Sequence, residues 1–289
     1  MRRSKGGFLG SMRFYLCEAM LLICIFPSFL SAQTAEEIIT KNVAARGGAE
    51  KFLTIHSMIV TTIEESNWGG TGSSILRIAR PDRMRFDYTW KASRNASVIA
   101  IVTAFYGKVG WWADQHKGVQ EPNTVSNDQL KLLREQAEYQ FAESYGELQA
   151  SGNTIELIGK EAVEGKACYK IRFETVGGQI RYVYYDAESY LVARTDDIVP
   201  MKDKKERHLT TSIGDYRSID GILFPHAFKV EAAMTSAFAS AEKLPLPFVF
   251  FQRKKDSTTS TIKTIEINPG IDDSLFQIPS TSKAEQTNH

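Results

Sequence analysis

Cysteine is scarce in this chain, and its scarcity excludes a fold held together by disulfides. The 289 residues contain three cysteines, and Cys17 and Cys24 both lie in an apolar run near the N-terminus. Cys168 is therefore the only thiol outside that run, so no disulfide can form within the rest of the chain. The fold must depend on hydrophobic burial, which a chain of roughly 250 residues can support in one domain.

A cysteine suited to lipid attachment is also lacking. Lipid-attachment signals place a small residue directly before the modified cysteine. Here Leu16 precedes Cys17 and Ile23 precedes Cys24. The sequence therefore predicts a protein that is not itself lipid-anchored.

Neither sign of charge is in excess. The chain has 35 Lys and Arg against 34 Asp and Glu, a formal net charge of +1. Residues 1–32 hold four of the basic residues and one of the acidic residues, so the remainder has 31 basic and 33 acidic residues and a net charge of −2. Proteins that bind nucleic acids usually carry a concentrated basic surface. The balance argues against nucleic acid as a partner.

The residue patterns of common catalytic and metal sites are missing from the sequence. The five histidines have no metal-ligand spacing, no H-E-x-x-H or G-x-S-x-G pattern occurs, and the glycine-rich stretch 69–74 lacks the Gly-Lys ending of a phosphate loop. Adjacent carboxylates on a strand point to opposite faces and are expected to be solvated charges; they occur at Glu64-Glu65, Asp196-Asp197 and Asp272-Asp273. The sequence predicts no enzyme activity, no metal and no cofactor.

Residues 1–32 have the layout of a secretory signal peptide. Basic residues come first, a mostly apolar run follows over 14–30, and small residues stand at Ser31 and Ala32. We expect cleavage after Ala32 and export of the remaining chain. The alternative is that the segment is kept as an N-terminal membrane anchor.

Two capping boxes predict two helices. Thr34 with Glu37 opens an amphipathic helix over 34–47, which a Gly-Gly pair ends. Ser126, with a glutamine three residues later, opens a second helix over 127–141.

The rest of the chain alternates apolar and polar residues between turn signals, which predicts strands. The strands are expected in 54–66, 75–90, 97–107, 108–115, 167–194 (three strands), 210–230 (one on each side of Asp220-Gly221) and 259–267. The order predicts one α+β domain over 33–280, with a disordered polar tail at 281–289. Its large antiparallel sheet should curl into an incomplete β-barrel, covered by helices and enclosing an apolar cavity.

Aromatic residues are dense on predicted strand faces. Met84, Phe86, Tyr88 and Trp90 share one face after Pro81, and further aromatic residues, including Trp111, lie in later segments. These side chains either fill a core or line an apolar cavity that holds acyl chains. The apolar segment 243–251 has two similar interpretations, a core strand entered through prolines or a hydrophobic docking loop.

The order of several motifs resembles the outer-membrane lipoprotein-sorting (LolA/LolB-like) family of bacterial periplasmic lipoprotein carriers. The motifs are the capped helix "TAEEIITKNVAARGG", Arg80-Pro81 before the aromatic strand, "YGKVGWW" at 106–112, "DYRSIDGILFP" at 215–225 and "TIEINPGIDDSLFQIPS" at 264–280. The resemblance implies an incomplete antiparallel barrel with a helical lid, and an apolar cavity for the lipid part of a lipoprotein. It also implies that Arg80 links barrel and lid and controls opening. By strand parity Arg80 shares a face with Leu76 and Ile78, so its donors need partners, unless the side chain reaches solvent at the strand end.

These observations lead to two functional hypotheses. The first is a periplasmic carrier or binding protein for lipoproteins or other apolar ligands, with Met84, Phe86, Tyr88, Trp90 and Trp111 lining the cavity and Arg80 as the lid latch. The second is a periplasmic sensor or interaction module of the same fold that signals to a membrane partner. The expected partners are a lipoprotein or lipid ligand and an inner- or outer-membrane protein.

Overall fold

Thirteen antiparallel strands form one sheet in the computed structural model, which describes residues 33–115, 121–139, 149, 152–175, 178–200, 206–234 and 257–279. The predicted signal peptide, the segment 243–251 and the predicted polar tail lie outside the described residues. The strands are β1 Ser57–Ser66, β2 Thr71–Ala79, β3 Arg83–Lys91, β4 Val98–Tyr106, β5 Val109–Asp114, β6 Asn123–Thr124, β7 Thr154–Val163, β8 Lys166–Glu174, β9 Ile180–Asp186, β10 Val192–Pro200, β11 Glu206–Ile219, β12 Ile222–Met234 and β13 Ser257–Ile267.

The strand order gives the sheet two free edges. The order is β6-β5-β4-β3-β2-β1-β13-β12-β11-β10-β9-β8-β7, so two meanders run outward from the centre and β13 joins them. Within the described part of the chain the sheet is open, with β6 and β7 at its ends. The predicted fold class, a large antiparallel sheet of an incomplete barrel covered by helices, is confirmed.

The described segments contain the α-helices α1 Ala35–Ala45, α2 Ala49–Leu53 and α3 Asn127–Tyr139 beside the sheet. Both predicted capping boxes are present. At α1 the Glu37 amide donates to Thr34 Oγ1 over 3.1 Å, and the Thr34 amide donates to Glu37 Oε2 over 3.2 Å. At α3 the Ser126 amide donates to Gln129 Oε1 over 2.9 Å. The two helix predictions are confirmed in this part of the chain, whereas the short α2 was not predicted.

Turn chemistry explains the hairpins. Asp220 and Gly221 join β11 to β12 with φ values of 52° and 77°, the left-handed pair that a two-residue hairpin turn requires. Glu164 and Gly165 join β7 to β8 in the same way, with φ values of 49° and 83°. The first hairpin was predicted from its Asp-Gly pair, and the second was not.

The helices α1, α2 and α3 pack on the same face of the sheet, which we call the inner face. Directly paired residues point to the same face, and Met58, Ile78, Met84 and Phe105 form one such row across β1–β4. α2 and α3 pack on this row in a buried apolar cluster that includes Phe52, Leu130 and Leu133.

α1 packs on the other end of the inner face. Its residues Ile38 and Ile39 form a second buried cluster with Ile171, Val183 and Tyr185 of β8 and β9. Cross-strand pairs connect the two ends in one unbroken series, from Ser66 through Thr258, Val230, Thr211, Thr195 and Val183 to Ile171. The inner face therefore carries an apolar cluster under helices at each end.

Candidate ligand-binding face of the sheet

Four of the five predicted cavity residues lie together on the inner face. Met84, Phe86, Tyr88 and Trp90 alternate along β3 and pair with Ile78, Leu76, Ser74 and Gly72 of β2. The strand register therefore places all four on the helix-bearing side of the sheet, although their surroundings differ.

Met84 belongs to the cluster under α2 and α3. It is 2% exposed and packs with Met58, Ile78 and Phe105. Met84 therefore fills the core, which is the first of the two roles that the sequence pattern allowed.

Phe86 and Tyr88 lie farther along β3. Their rings stack, with centroids 6.0 Å apart and an interplanar angle of 12°. Phe86 is buried and Tyr88 is half-buried. The pair lies in the two rows next to the helix-covered cluster.

Trp90 is held by a glycine-lined recess at the β1–β2 turn. A Cβ atom on Gly70 or Gly72 would come within 2.5 Å and 2.6 Å of the indole ring. Trp68 contacts the same ring edge-on, with centroids 5.8 Å apart. The glycine-rich stretch of the sequence therefore makes room for a tryptophan.

The structure corrects the grouping of Trp111 with these residues. Trp111 pairs with Ala104, which pairs with Arg85, and both lie on the opposite, outer face. Its indole Nε1 donates to the Phe276 carbonyl over 2.9 Å, and the Arg85 guanidinium lies 6.0 Å from its ring centroid. Trp111 therefore anchors the C-terminal segment to the outer face.

The outer face of the same strands is rich in ion pairs. Asp87 accepts hydrogen bonds from Arg77 over 2.6 Å and from Arg85 over 2.7 Å, and Arg83 pairs with Asp273. Asp273 belongs to a 3-10 helix, Asp273–Leu275, that follows β13. The two faces of β2 and β3 thus differ in chemistry, because the inner one is mostly apolar and the outer one carries the ion pairs. On β4 and β5 the outer face instead carries a small buried apolar cluster of Val102, Ala104, Trp111 and Ala113.

Arg80 lies in the tight turn between β2 and β3, not in a strand. The turn comprises Arg80, Pro81 and Asp82, with a cis peptide bond before Pro81. The Arg80 amide donates to the His56 carbonyl over 2.8 Å, and its own carbonyl accepts from Arg83 over 3.1 Å. The side chain is half-buried. Its role as a latch stays a prediction.

Glu64 is a buried carboxyl that sequence reasoning treated as solvated. It lies on β1 opposite Gly72 and Ser260, on the inner face, and is 5% exposed. Glu65, its neighbour, points outward and is exposed. The signal that could have identified Glu64 is parity, because Glu64 shares its strand face with Met58.

Burial changes the acid–base behaviour of Glu64. Desolvation raises the pKa of its carboxyl from 4.5 to about 7, and a hydrogen bond donated by Tyr88 Oη over 3.3 Å acts in the opposite direction. Burial and the adjacent Glu64 also raise the pKa of the Tyr88 phenol. Near neutral pH this carboxyl is therefore poised between its charged and uncharged forms.

Buried hydroxyl side chains lie on the strands beside the Glu64 carboxyl, and another lies farther away on β4. Ser74, Thr258 and Ser260 are buried and lie on the inner face. Thr103 of β4, opposite Phe86, is 1% exposed, and its buried Oγ1 has no hydrogen-bond partner among the residues that the structure describes. Polar groups thus interrupt the apolar inner face between its two clusters.

A groove of about 550 Å³ lies on the outer face between the β7–β8 turn and β10–β13. It is lined by both apolar and charged side chains, among them Val163, Lys166, Tyr216 and Lys229. None of the predicted site residues contributes to it.

Metal-binding groups of three or more His, Cys, Asp or Glu side chains do not occur among the described residues. In the same residues no helix is long and apolar enough to cross a membrane.

The chain resembles several solved structures at low sequence identity. No protein-family model matches the chain, and no curated protein matches it. Solved structures that match include a LolA superfamily protein from Nitrosomonas europaea, 10% identical, covering 85% of this chain and 98% of that one with a TM-score of 0.49. A putative outer membrane lipoprotein-sorting protein domain from Vibrio parahaemolyticus is 11% identical, with coverages of 83% and 94% and a TM-score of 0.49. A DUF1329 family protein from Desulfovibrio piger is 14% identical, with coverages of 82% and 95% and a TM-score of 0.47. At these identities the likeness concerns the fold alone.

Proposed function

We propose that this protein is a periplasmic carrier or binding protein that holds the acyl chains of lipoproteins or other apolar ligands against the inner face of its sheet. The observation that carries the proposal is the difference between the two faces. Helices and both large apolar clusters lie on the inner face, whereas the outer face carries ion pairs on β2 and β3 and a smaller apolar cluster on β4 and β5. The layout of residues 1–32 as a signal peptide supports the periplasmic location.

Half-buried apolar side chains, some packed against the cluster under α2 and α3 and others beyond it, offer the contact surface. Several lie on the inner face by register, namely Val60, Leu76, Ile101, Phe228 and Ile262. An acyl chain that covers them gains about 0.8 kcal/mol for each buried CH₂ group. Phe86 and Tyr88 adjoin this surface and are the aromatic residues that we assign to it.

Two adjacent residues of β2 test the assignment of the binding face. Leu76 points inward and Ile75 outward, and both are half-buried. We expect Leu76→Asn to weaken binding of a fluorescent fatty-acid probe at least several-fold, and Ile75→Asn to leave it unchanged. Equal effects of the two variants would refute the inner face as the binding surface.

Native mass spectrometry of protein purified from the periplasm tests the carrier itself. Co-purifying lipid or lipoprotein is the expected result. Protein that is consistently empty and does not bind the fatty-acid probe would count against the carrier.

We also propose that Arg80 latches the lid, as the resemblance to the lipoprotein-sorting family implies. Its position in the β2–β3 turn, adjacent to the strand that carries Met84 and Phe86, supports the proposal. Arg80→Leu should change the dissociation rate of a bound acyl probe several-fold while the circular dichroism spectrum stays unchanged. Lys108→Leu, in the exposed β4–β5 turn, is the matched control. An unchanged dissociation rate for Arg80→Leu would exclude the latch.

A further inference from the structure

Thr103 of β4 carries a buried hydroxyl group to which the described part of the chain offers no hydrogen-bond partner. The residue is 1% exposed, and its Oγ1 is buried. Buried hydroxyl groups in proteins are nearly always hydrogen-bonded, and leaving one unpaired is unfavourable, so an exception calls for an explanation such as a ligand. A valine, which has nearly the same shape and no hydroxyl, would avoid this cost in the empty protein.

The strand register places this hydroxyl beside the acyl-chain surface of the proposed function. Thr103 pairs directly with Phe86 of β3, and Phe86 pairs with Leu76 of β2, so the three side chains form one row on the inner face. Ile101 lies two residues away along β4, on the same face. Leu76, Phe86 and Ile101 all belong to the surface that we assign to the acyl chain, so Thr103 adjoins that surface on two sides.

Trp112 of β5 lies on the other side of Thr103. The two residues pair directly across β4 and β5, and Trp112 is half-buried. Side chains of directly opposed strand residues have Cβ atoms about 4.5–5.5 Å apart. A hydroxyl group can donate or accept a hydrogen bond, whereas an indole Nε1 only donates. An acceptor oxygen is therefore the partner that suits both side chains of this pair.

The surroundings of Thr103 favour a neutral acceptor over a charged one. Its neighbours on the inner face, across the strands and along β4, are Phe86, Trp112, Ile101 and Phe105. Asp114 lies two residues along β5 from Trp112 on the same face, so its carboxylate disfavours an anionic head group. Arg134 of α3 donates to the Gly107 carbonyl, at the β4–β5 turn four residues from Thr103. Burying a charge among apolar side chains costs far more than burying a hydrogen-bonded carbonyl group.

We propose that the Thr103 hydroxyl donates a hydrogen bond to the carbonyl oxygen of an acyl ester whose hydrocarbon chain lies on the inner face. The hydroxyl is then paired in the loaded protein, and the bond fixes the position of the ester along β4. Because Thr103 is 1% exposed, the ester reaches it when the side chains that cover it move, as the lid of the proposed carrier requires. This assignment rests on the proposed function of the inner face as an acyl-chain site, and it adds selection for ester-linked chains.

Methyl decanoate and decyl methyl ether separate ester recognition from chain binding, because they differ only in a carbonyl group that replaces a CH₂ group. Displacement of a bound fluorescent fatty-acid probe measures the affinity of each. The ratio of ester affinity to ether affinity should be about 5-fold higher in the wild type than in Thr103→Val, the size typical of one net hydrogen bond. Comparing ratios removes the difference in hydration between the two compounds. Thr103→Ser keeps the hydroxyl and should keep the wild-type ratio.

Thr61→Val is the matched control, because Thr61 of β1 is half-buried on the outer face, opposite Ile75. It should keep the wild-type affinity ratio. In the absence of ligand, Thr103→Val should have a higher urea midpoint than the wild type, because it removes a buried hydroxyl that has no partner.

The outcomes distinguish the role of Thr103 from the proposed function. If Thr103→Val keeps the wild-type affinity ratio, or if its urea midpoint does not rise, the role of Thr103 is wrong and the carrier function stands. If the wild type binds neither the ester, the ether nor the fatty-acid probe, the proposed function itself fails.

Discussion

Glu64 and Glu65 stand side by side in β1, yet their surroundings give them opposite behaviour. Glu65 faces solvent, whereas Glu64 is buried among neutral groups on the inner face. Adjacent strand residues point to opposite faces, so the pair could not be two solvated charges if one face of β1 was covered. Which of the two was buried depended on which face receives the helices, and a single strand does not contain that information.

The raised pKa of Glu64 makes the stability of the fold depend on pH. The folded state keeps a proton on Glu64 up to about pH 7, whereas an unfolded chain releases it near the ordinary value of 4.5. Between these values the folded state binds more protons, so the free energy of unfolding falls as the pH rises. Desolvation, the largest cause of the shift, thus favours the uncharged carboxyl.

Glu64→Gln should therefore stabilise the protein at about pH 8 and leave it unchanged near pH 4, where Glu64 is protonated in both states. The expected gain at the higher pH is at most about 3 kcal/mol, since each pKa unit corresponds to about 1.4 kcal/mol. Urea denaturation at the two pH values measures it, with Glu65→Gln as the control. A gain of the same size at both pH values would show that packing, not ionisation, is responsible.

The faces on which Trp90 of β3 and Trp111 of β5 lie depend on how the strands pair, and the alternation of residues along one strand does not determine this pairing. Alternation along β3 correctly placed Met84, Phe86, Tyr88 and Trp90 on one face. Trp111 could not be added to them by parity, because its face depends on the register of two hairpins. The Gly107–Lys108 turn fixes β5 against β4, but the longer connection over 92–97 leaves the register of β4 against β3 undetermined from sequence.

The outward position of Trp111 gives it a structural role that a phenylalanine can only partly fill. Trp111→Phe keeps the ring against Arg85 but loses the hydrogen bond from Nε1 to the Phe276 carbonyl. We expect a loss of about 1 kcal/mol in the free energy of unfolding. Residues 271–279 should also exchange their amide hydrogens faster, as measured by mass spectrometry.

Trp112→Phe is the matched control for that variant, since Trp112 is the next residue and points to the inner face. It should leave exchange in 271–279 as in the wild type. Unchanged protection of this segment in Trp111→Phe would show that the C-terminal segment is held by other contacts, such as the pair between Arg83 and Asp273.

At the scale of the whole molecule, local signals were enough to predict an open antiparallel sheet. Capping boxes and the Asp220-Gly221 turn are chemical features of a few adjacent residues, and the structure contains all of them. The position of β13 between β1 and β12 is different, because it pairs strands that are distant in sequence. So is the burial of Glu64 and Thr103, which arises only when separate strands meet. The candidate site is therefore less predictable than the sheet that carries it.

β13 makes the two meanders one cooperative sheet, and two built-in probes can test this. All four tryptophans lie in the first half of the chain, at 68, 90, 111 and 112. Cys168 lies in β8 of the second half, 0% exposed, and burial raises the pKa of its thiol. Replacing Cys17 and Cys24 by serine leaves it as the single thiol.

Tryptophan fluorescence and thiol labelling should therefore report the same urea midpoint. β13 pairs with β1 from Met58–Ile267 to Ser66–Thr258 and with β12 from Ala227–Thr261 to Glu231–Ser257, so separating the halves breaks one of these ladders. Coincident transitions from different probes are the mark of two-state unfolding. Labelling of Cys168 at urea concentrations well below the fluorescence midpoint would show instead that β7–β12 unfold first. The β12–β13 ladder would then be the weaker of the two ladders. An acyl ligand that bridges both clusters of the inner face should then bring the two midpoints together, because it binds only when both halves are folded.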